Sequence, residues 1–173
     1  MTIEELTIRL KQEAESFNQN EPFASPMLQE QILLKDSFKE MLTVTLACGL
    51  AGEIINREKL ETLINSCFEK FPEILEYAKK DLVATVLRDP ACLGYLEPLL
   101  FFKGFQGLQA YRIAHALWKN NERFTAKMFQ SIISRKFGMD IHPAAQIGHG
   151  LLIDHATNIV IGETAVIGNN VSI

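Results

Sequence analysis

The sequence predicts an α + β fold in which a helical part, residues 1–138, precedes the start of a parallel β-helix, residues 139–173. Three observations carry this. Isoleucine recurs at Ile141, Ile147 and Ile153, then at Ile161, Ile167 and Ile173, in steps of six with one step of eight. Glycine follows it at Gly148, Gly162 and Gly168. Neither a 3.6-residue nor a two-residue period generates that pattern, whereas stacked hexapeptide rungs do. Upstream of Gly138 the apolar residues follow the helical period instead.

The helices read off in order. Ile3, Leu6, Leu10, Ala14 and Phe17 give one face, with Thr2 as cap and Glu4 and Glu5 in the first turn. Asn18 to Pro26 reads as a connector, Met27 to Leu34 as a short helix and Ser37 to Leu50 as another. Leu60, Leu63, Ile64, Cys67, Phe68 and Phe71 form the clearest amphipathic stripe. Pro72 opens the next helix, whose inner face is Leu75, Ala78, Leu82 and Val86 and which ends before Asp89, because a residue preceding proline leaves the α region. Pro98 starts a helical turn, Gly104 interrupts it, and Leu108, Tyr111, His115 and Trp118 mark one track of a longer helix. Phe124 to Phe137 forms the last, with Gly138 as its left-handed terminator. In the β-helix the isoleucines point inward and each following glycine supplies a corner with positive φ.

Composition excludes several classes. The 173 residues are 47% hydrophobic and 22% charged, as in a soluble globular chain. A net charge of −4 gives no reason to expect nucleic acid or an anionic membrane as partner. The amino terminus is acidic and amphipathic, unlike a secretory signal. The longest apolar run, Met41 to Gly52, is too short to span a bilayer. Cys48, Cys67 and Cys92 are odd in number and sit among apolar residues, which fits buried free thiols in a reducing cytoplasm. No metal site is expected, since neither the cysteines nor the four histidines show ligand spacing.

Asp154 and His155 stand in the one irregular rung. Local rule-breaking is expected where function overrides regularity. Asp140 lies fifteen residues upstream, nearly one coil earlier, where a carboxylate could orient the imidazole as a general base. The competing reading is that Asp154 caps a turn and His155 is surface-exposed. His142 and His149 read as structural or solvated, His115 as a satisfied core or interface histidine, Asp89 as a turn aspartate and Glu163 as a corner residue.

The chain resembles one family, the serine O-acetyltransferases of cysteine biosynthesis. The matching residues are Arg88-Asp89-Pro90-Ala91, Lys103-Gly104-Phe105, Leu108-Gln109-Ala110-Tyr111-Arg112, Asp140-Ile141-His142-Pro143-Ala144-Ala145, Asp154-His155-Ala156-Thr157 and Gly162-Glu163-Thr164-Ala165-Val166-Ile167. From Leu82 onward the match is specific; before it, only the pattern agrees.

The resemblance implies a left-handed β-helix and transfer of an acetyl group from acetyl-CoA, as co-substrate, to the hydroxyl of L-serine. It implies His155 as general base, Asp140 as its orienting carboxylate, and Asp89 and Asp154 as the residues that hold serine. No residue is assigned to CoA, and no bound cofactor or metal is implied. It further implies a trimer or hexamer joined through the helical part, active sites between neighbouring β-helices, and O-acetylserine sulfhydrylase as partner of a C-terminal tail. Family members continue for several more coils past the position of Ile173. Those coils carry a histidine and an arginine of the serine site, most of the CoA groove and that tail. A fragment, a truncated form or a short natural relative is therefore expected, with little activity of its own. A non-catalytic oligomerisation module of the same ancestry, or a different hexapeptide acyltransferase, are the alternatives.

Overall fold

The computed structural model describes residues 1–52 and 55–173. Among the described residues eight α-helices precede four short strands: α1 (Ile3–Asn20), α2 (Ser25–Leu28), α3 (Phe38–Leu50), α4 (Arg57–Lys70), α5 (Glu73–Arg88), α6 (Leu96–Phe101), α7 (Lys103–Lys119), α8 (Arg123–Phe137), β1 (Met139–Ile141), β2 (Gln146–Ile147), β3 (Ile159–Ile161) and β4 (Val166–Ile167). A π-helical turn, Gln29–Leu33, continues α2 where the sequence suggested one short helix. No helix among the described residues is long and apolar enough to cross a membrane.

Local chemistry explains the helix ends. Thr2 and Glu5 form a reciprocal capping box on α1, and Ser37 and Asn56 cap α3 and α4 through their side chains. Gly138 ends α8 at φ 71°, the left-handed conformation glycine adopts without steric cost. The break between α6 and α7 falls at Phe102 (ψ 105°), not at Gly104, which lies inside the first turn of α7. Pro72 precedes α5 as its cap residue. α1 runs on to Asn20, three residues into the expected connector, and Phe17 is half exposed.

α7 is the axis of the helical part. Its residues from Gly104 to Leu117 are buried save His115, and it packs against α3, α4, α5, α6, α8 and β1. A helix apolar nearly all round has no face for water and must be surrounded.

Two coils of β-helix follow. β1 pairs with β3 and β2 with β4, both parallel, and an isolated parallel bridge joins Leu152 to Ser172. Met139 faces Ile159, Gln146 faces Val166 and Leu152 faces Ser172, a constant offset of twenty residues. That offset is three six-residue rungs plus the two extra residues of the long step. The extra residues therefore bulge out as a loop while the isoleucines keep their stack. Ile141, Ile153 and Ile161 are buried, and Ile147 and Ile167 are partly buried against the same core.

The glycine corners differ from expectation. Among the described residues only Gly138 and Gly150 have positive φ among the glycines. Gly148 is required for proximity instead: a Cβ there would stand 2.4 Å from Asn169 Oδ1 and 2.8 Å from the Gly168 backbone on the coil above. The left-handed corner positions fall to asparagine, at Asn158 (φ 59°) and Asn170 (φ 60°).

One polar cluster ties the helices to the first coil. Asp81 on α5 is fully buried, and its Oδ2 accepts from Arg112 Nη2 at 2.7 Å, Arg112 Nε at 3.0 Å and Gln109 Nε2 at 3.1 Å. Its Oδ1 accepts from the Leu151 backbone N–H at 3.0 Å. Arg112 Nη2 also donates to the Gly148 carbonyl at 2.7 Å, and the neighbouring Tyr111 hydroxyl donates to the Ala145 carbonyl at 2.5 Å. The buried face of α5 is accordingly Ile74, Ala78, Asp81, Leu82, Ala84 and Thr85, turned from the expected one so that the carboxylate points inward. Removing one partner of such a pair strands a buried charge. Arg112→Ala should lower unfolding free energy by about 3–5 kcal/mol, measured by urea denaturation. Restoring an apolar pair with Asp81→Leu in that background should recover part of the loss.

Candidate active site

The loop from Asp154 to Asn158 is the irregular rung predicted above. His155 (φ 52°), Ala156 (φ 55°) and Asn158 (φ 59°) all lie in the left-handed region. Such positions cost about 1–3 kcal/mol each outside glycine, less for asparagine, and persist only where surroundings over-determine them. Here they do. The Asp154 N–H donates to the Ile173 carbonyl at 2.9 Å and the Ile159 N–H to the Gly138 carbonyl at 3.3 Å. Ala156 is fully buried and anchors the loop. Gly104 of α7 presses on it from beneath: a Cβ there would stand 1.9 Å from the Ile153 carbonyl oxygen and 3.4 Å from Ala156 Cβ. Lys103 Nζ donates to Thr157 Oγ1 at 2.7 Å.

This clamp turns the two polar side chains outward. Asp154 and His155 are 57% and 91% exposed at the side chain, and His155 Nε2 lies 3.7 Å from Asp154 Oδ2. Asp140, on β1, accepts a hydrogen bond from Gln130 Nε2 of α8 at 2.6 Å, and no hydrogen bond joins it to His155 within the chain. Asp89 closes an Asx turn after α5, its Oδ1 accepting from the Ala91 N–H at 2.9 Å. No ion pair or hydrogen bond brings Asp89 or Asp140 to Asp154 or His155, so one chain holds the Asp154–His155 pair apart from the other two candidates.

The remaining histidines are held by structural contacts. His115 Nδ1 donates to the Pro143 carbonyl at 2.7 Å, and burial pushes its pKa below the ordinary imidazole value. His142 Nδ1 accepts from the Ala144 N–H at 3.1 Å, and its ring meets Trp118 edge-on at 5.2 Å. His149 Nε2 faces Lys80 Nζ at 3.3 Å and the Tyr77 ring at 5.0 Å. Burial raises all three thiols, Cys67 to about 11, which disfavours the thiolate form. Among the described residues no group of three or more His, Cys, Asp or Glu could hold a metal ion.

Sequence reasoning missed two features. Lys103 and Thr157 were visible only as parts of motifs. Asp81 and Arg112 carried a usable signal, since opposite charges occupy apolar helical tracks on α5 and α7. The fit of α7 beneath the loop left no signal beyond a glycine.

A helical layer set on the opening coils of a parallel β-helix, with an outward-facing Asp–His pair at the irregular rung, defines the class. A family profile described as "Serine acetyltransferase, N-terminal" matches residues 7–110, a stretch that begins well before Arg88 and takes in the motifs at Arg88–Ala91 and Lys103–Phe105. The chloroplastic serine acetyltransferase 1 of Arabidopsis thaliana is 44% identical over 170 residues, 98% of this chain and 54% of that protein. A soybean serine acetyltransferase complexed with serine superposes with a TM-score of 0.96 at 41% identity, covering 99% of this chain and 70% of that one. A serine acetyltransferase in complex with CoA gives a TM-score of 0.97 at 40% identity, covering 99% and 73%. The chain belongs to the serine acetyltransferase family. It spans about half the length of curated relatives it matches, 54% and 44% for the two Arabidopsis proteins.

The contact at Gly104 generates a prediction. Gly104→Ala should cost about 1–3 kcal/mol, because the obstructing atom is backbone and cannot rotate away. Gly162→Ala, where nothing lies within 4 Å, is the control and should change the urea midpoint little. Equal midpoints for the two variants would contradict the clamp.

Proposed function

We propose that the protein carrying this chain transfers the acetyl group of acetyl-CoA to the hydroxyl of L-serine, giving O-acetylserine and free CoA for cysteine biosynthesis. The observation that carries the reading is the exposed Asp154–His155 pair on a backbone held in the left-handed region, in a chain of this family. The related structures bound to serine and to CoA support both substrates.

A thioester is already activated. The catalyst's work is to deprotonate the alcohol, align it and stabilise a tetrahedral oxyanion. His155 takes the hydroxyl proton as general base. Asp140 orients the imidazole, and Asp89 and Asp154 hold the ammonium of serine, the one cationic group of that substrate. Asp89 and Asp140 stand apart from the Asp154–His155 pair in a single chain, and His155 is 91% exposed at the side chain. Both features suit a site completed by a neighbouring subunit. The reading therefore includes a homo-trimer or hexamer, with residues 1–138 as the assembling domain and 139–173 as the catalytic one, working in the cytoplasm without a metal. Exposed apolar side chains support assembly: Phe23 is fully exposed, Leu93 95% and Phe124 90%.

Two outcomes are expected. Thiol release from acetyl-CoA should depend on L-serine, and His155→Ala should reduce kcat by about 10²–10⁴-fold with KM for acetyl-CoA little changed. A variant with near-full kcat would remove His155 from this role. In light scattering at micromolar concentration the protein should give an oligomeric mass; a monomeric one would count against the shared site.

A further inference from the structure

Lys103 is placed where a helix least favours it. It is the first residue of α7, a helix with no acidic residue in its first turn and no side-chain cap. The amino-terminal end of a helix carries partial positive charge and repels a cation. The side chain leaves its own helix instead. Nζ donates to Thr157 Oγ1 at 2.7 Å, fifty-four positions along the chain. Thr157 Oγ1 donates in turn to the His155 carbonyl at 3.3 Å.

The direction of this relay follows from the groups themselves. An ammonium has three donors and no acceptor, so the threonine hydroxyl must accept from it. Its own proton is then available to the carbonyl of His155. Among the described residues this is the one hydrogen bond by which a side chain of another element grips residues 154–158. The next residue, Gly104, lies against the same loop, where a Cβ would stand 1.9 Å from the Ile153 carbonyl oxygen. Two successive residues of α7 thus restrain the loop in different ways: one excludes it sterically, the other draws it in.

We infer that Lys103 is a positioning residue, acting through Thr157 to hold His155 in the left-handed backbone conformation that turns its imidazole outward. The inference rests on the proposed role of His155 as base. It concerns the orientation of that base, not contact with either substrate.

The test has two arms. In the 173-residue chain, Lys103→Met should raise amide hydrogen exchange at Thr157 to Ile159 by about tenfold, while amides from Leu108 to Ala116 keep their protection. Thr157→Val should do the same. Lys103→Arg and Thr157→Ser, which keep a donor and a hydroxyl, should stay near the parent. The Lys103→Met, Thr157→Val double variant should match either single one, because both break one link.

In acetyl-transfer assays of the protein carrying this chain, Lys103→Met should lower kcat by about 10–10²-fold and leave KM for acetyl-CoA unchanged, as a misdirected base would. Unchanged exchange and kcat in Lys103→Met would overturn the inference. So would single-variant effects that multiply in the double variant, or a fall in kcat that only tracks loss of folded protein. If the parent protein shows no serine-dependent thiol release, or His155→Ala keeps its full rate, the proposed function itself fails. His155-dependent transfer with an unaffected Lys103→Met defeats only the inference about Lys103.

Discussion

The buried contact between Asp81 and Arg112 is the constraint on which the rest of the architecture depends. A carboxylate with no exposure to water must find hydrogen-bond donors within the protein. Here the donors come from two places: Arg112 and Gln109 on α7, and the Leu151 N–H on the first coil. Arg112 passes the connection on to the carbonyls of Ile147 and Gly148. Any relative shift of α5, α7 or the coil would leave one of these groups unpaired. The cluster therefore sets the angle at which the helical layer meets the β-helix, a degree of freedom that apolar packing alone leaves soft.

With that angle set, α7 is aimed at the loop after Ile153. Its first turn delivers Lys103 and Gly104 to the loop, and its later residues Tyr111 and Arg112 seat the opposite side of the coil. One helix thus both supports the β-helix and restrains its irregular rung. The left-handed residues at His155 and Ala156 are affordable because backbone hydrogen bonds, a buried alanine and a glycine contact all converge there. The irregularity that marks the loop in the sequence and the convergence that holds it in space have the same cause. Two additional residues must leave the stack without disturbing it.

Much of the fold was legible because its signals are local. The cap at Thr2, the terminator at Gly138 and the six-residue isoleucine period each depend on residues within a few positions of one another. The shortfalls share the opposite property. Gly104 was read as a helix breaker, yet it is glycine because the carbonyl of Ile153, forty-nine positions away, occupies the space of its Cβ. Gly148 was read as a positive-φ corner, yet it is small because the next coil lies on it. The inner face of α5 was assigned by hydrophobicity, which cannot anticipate that an aspartate turns inward to meet an arginine on another helix.

The candidate site divides along the same line. The sequence by itself singled out the irregular rung and the candidate residues Asp154 and His155 on it, because motif and period are properties of neighbouring positions. It also determined the two classes of structure and the residue at which one gives way to the other. Only the tertiary structure decided that Asp140 is engaged by Gln130, that Asp89 closes a local turn, and that His155 stands outward on a strained loop gripped from α7. Those outcomes depend on hydrogen-bond and steric partners brought together from distant positions. Such partners have no fixed spacing in the chain, so they leave no period for a reader of the sequence to find.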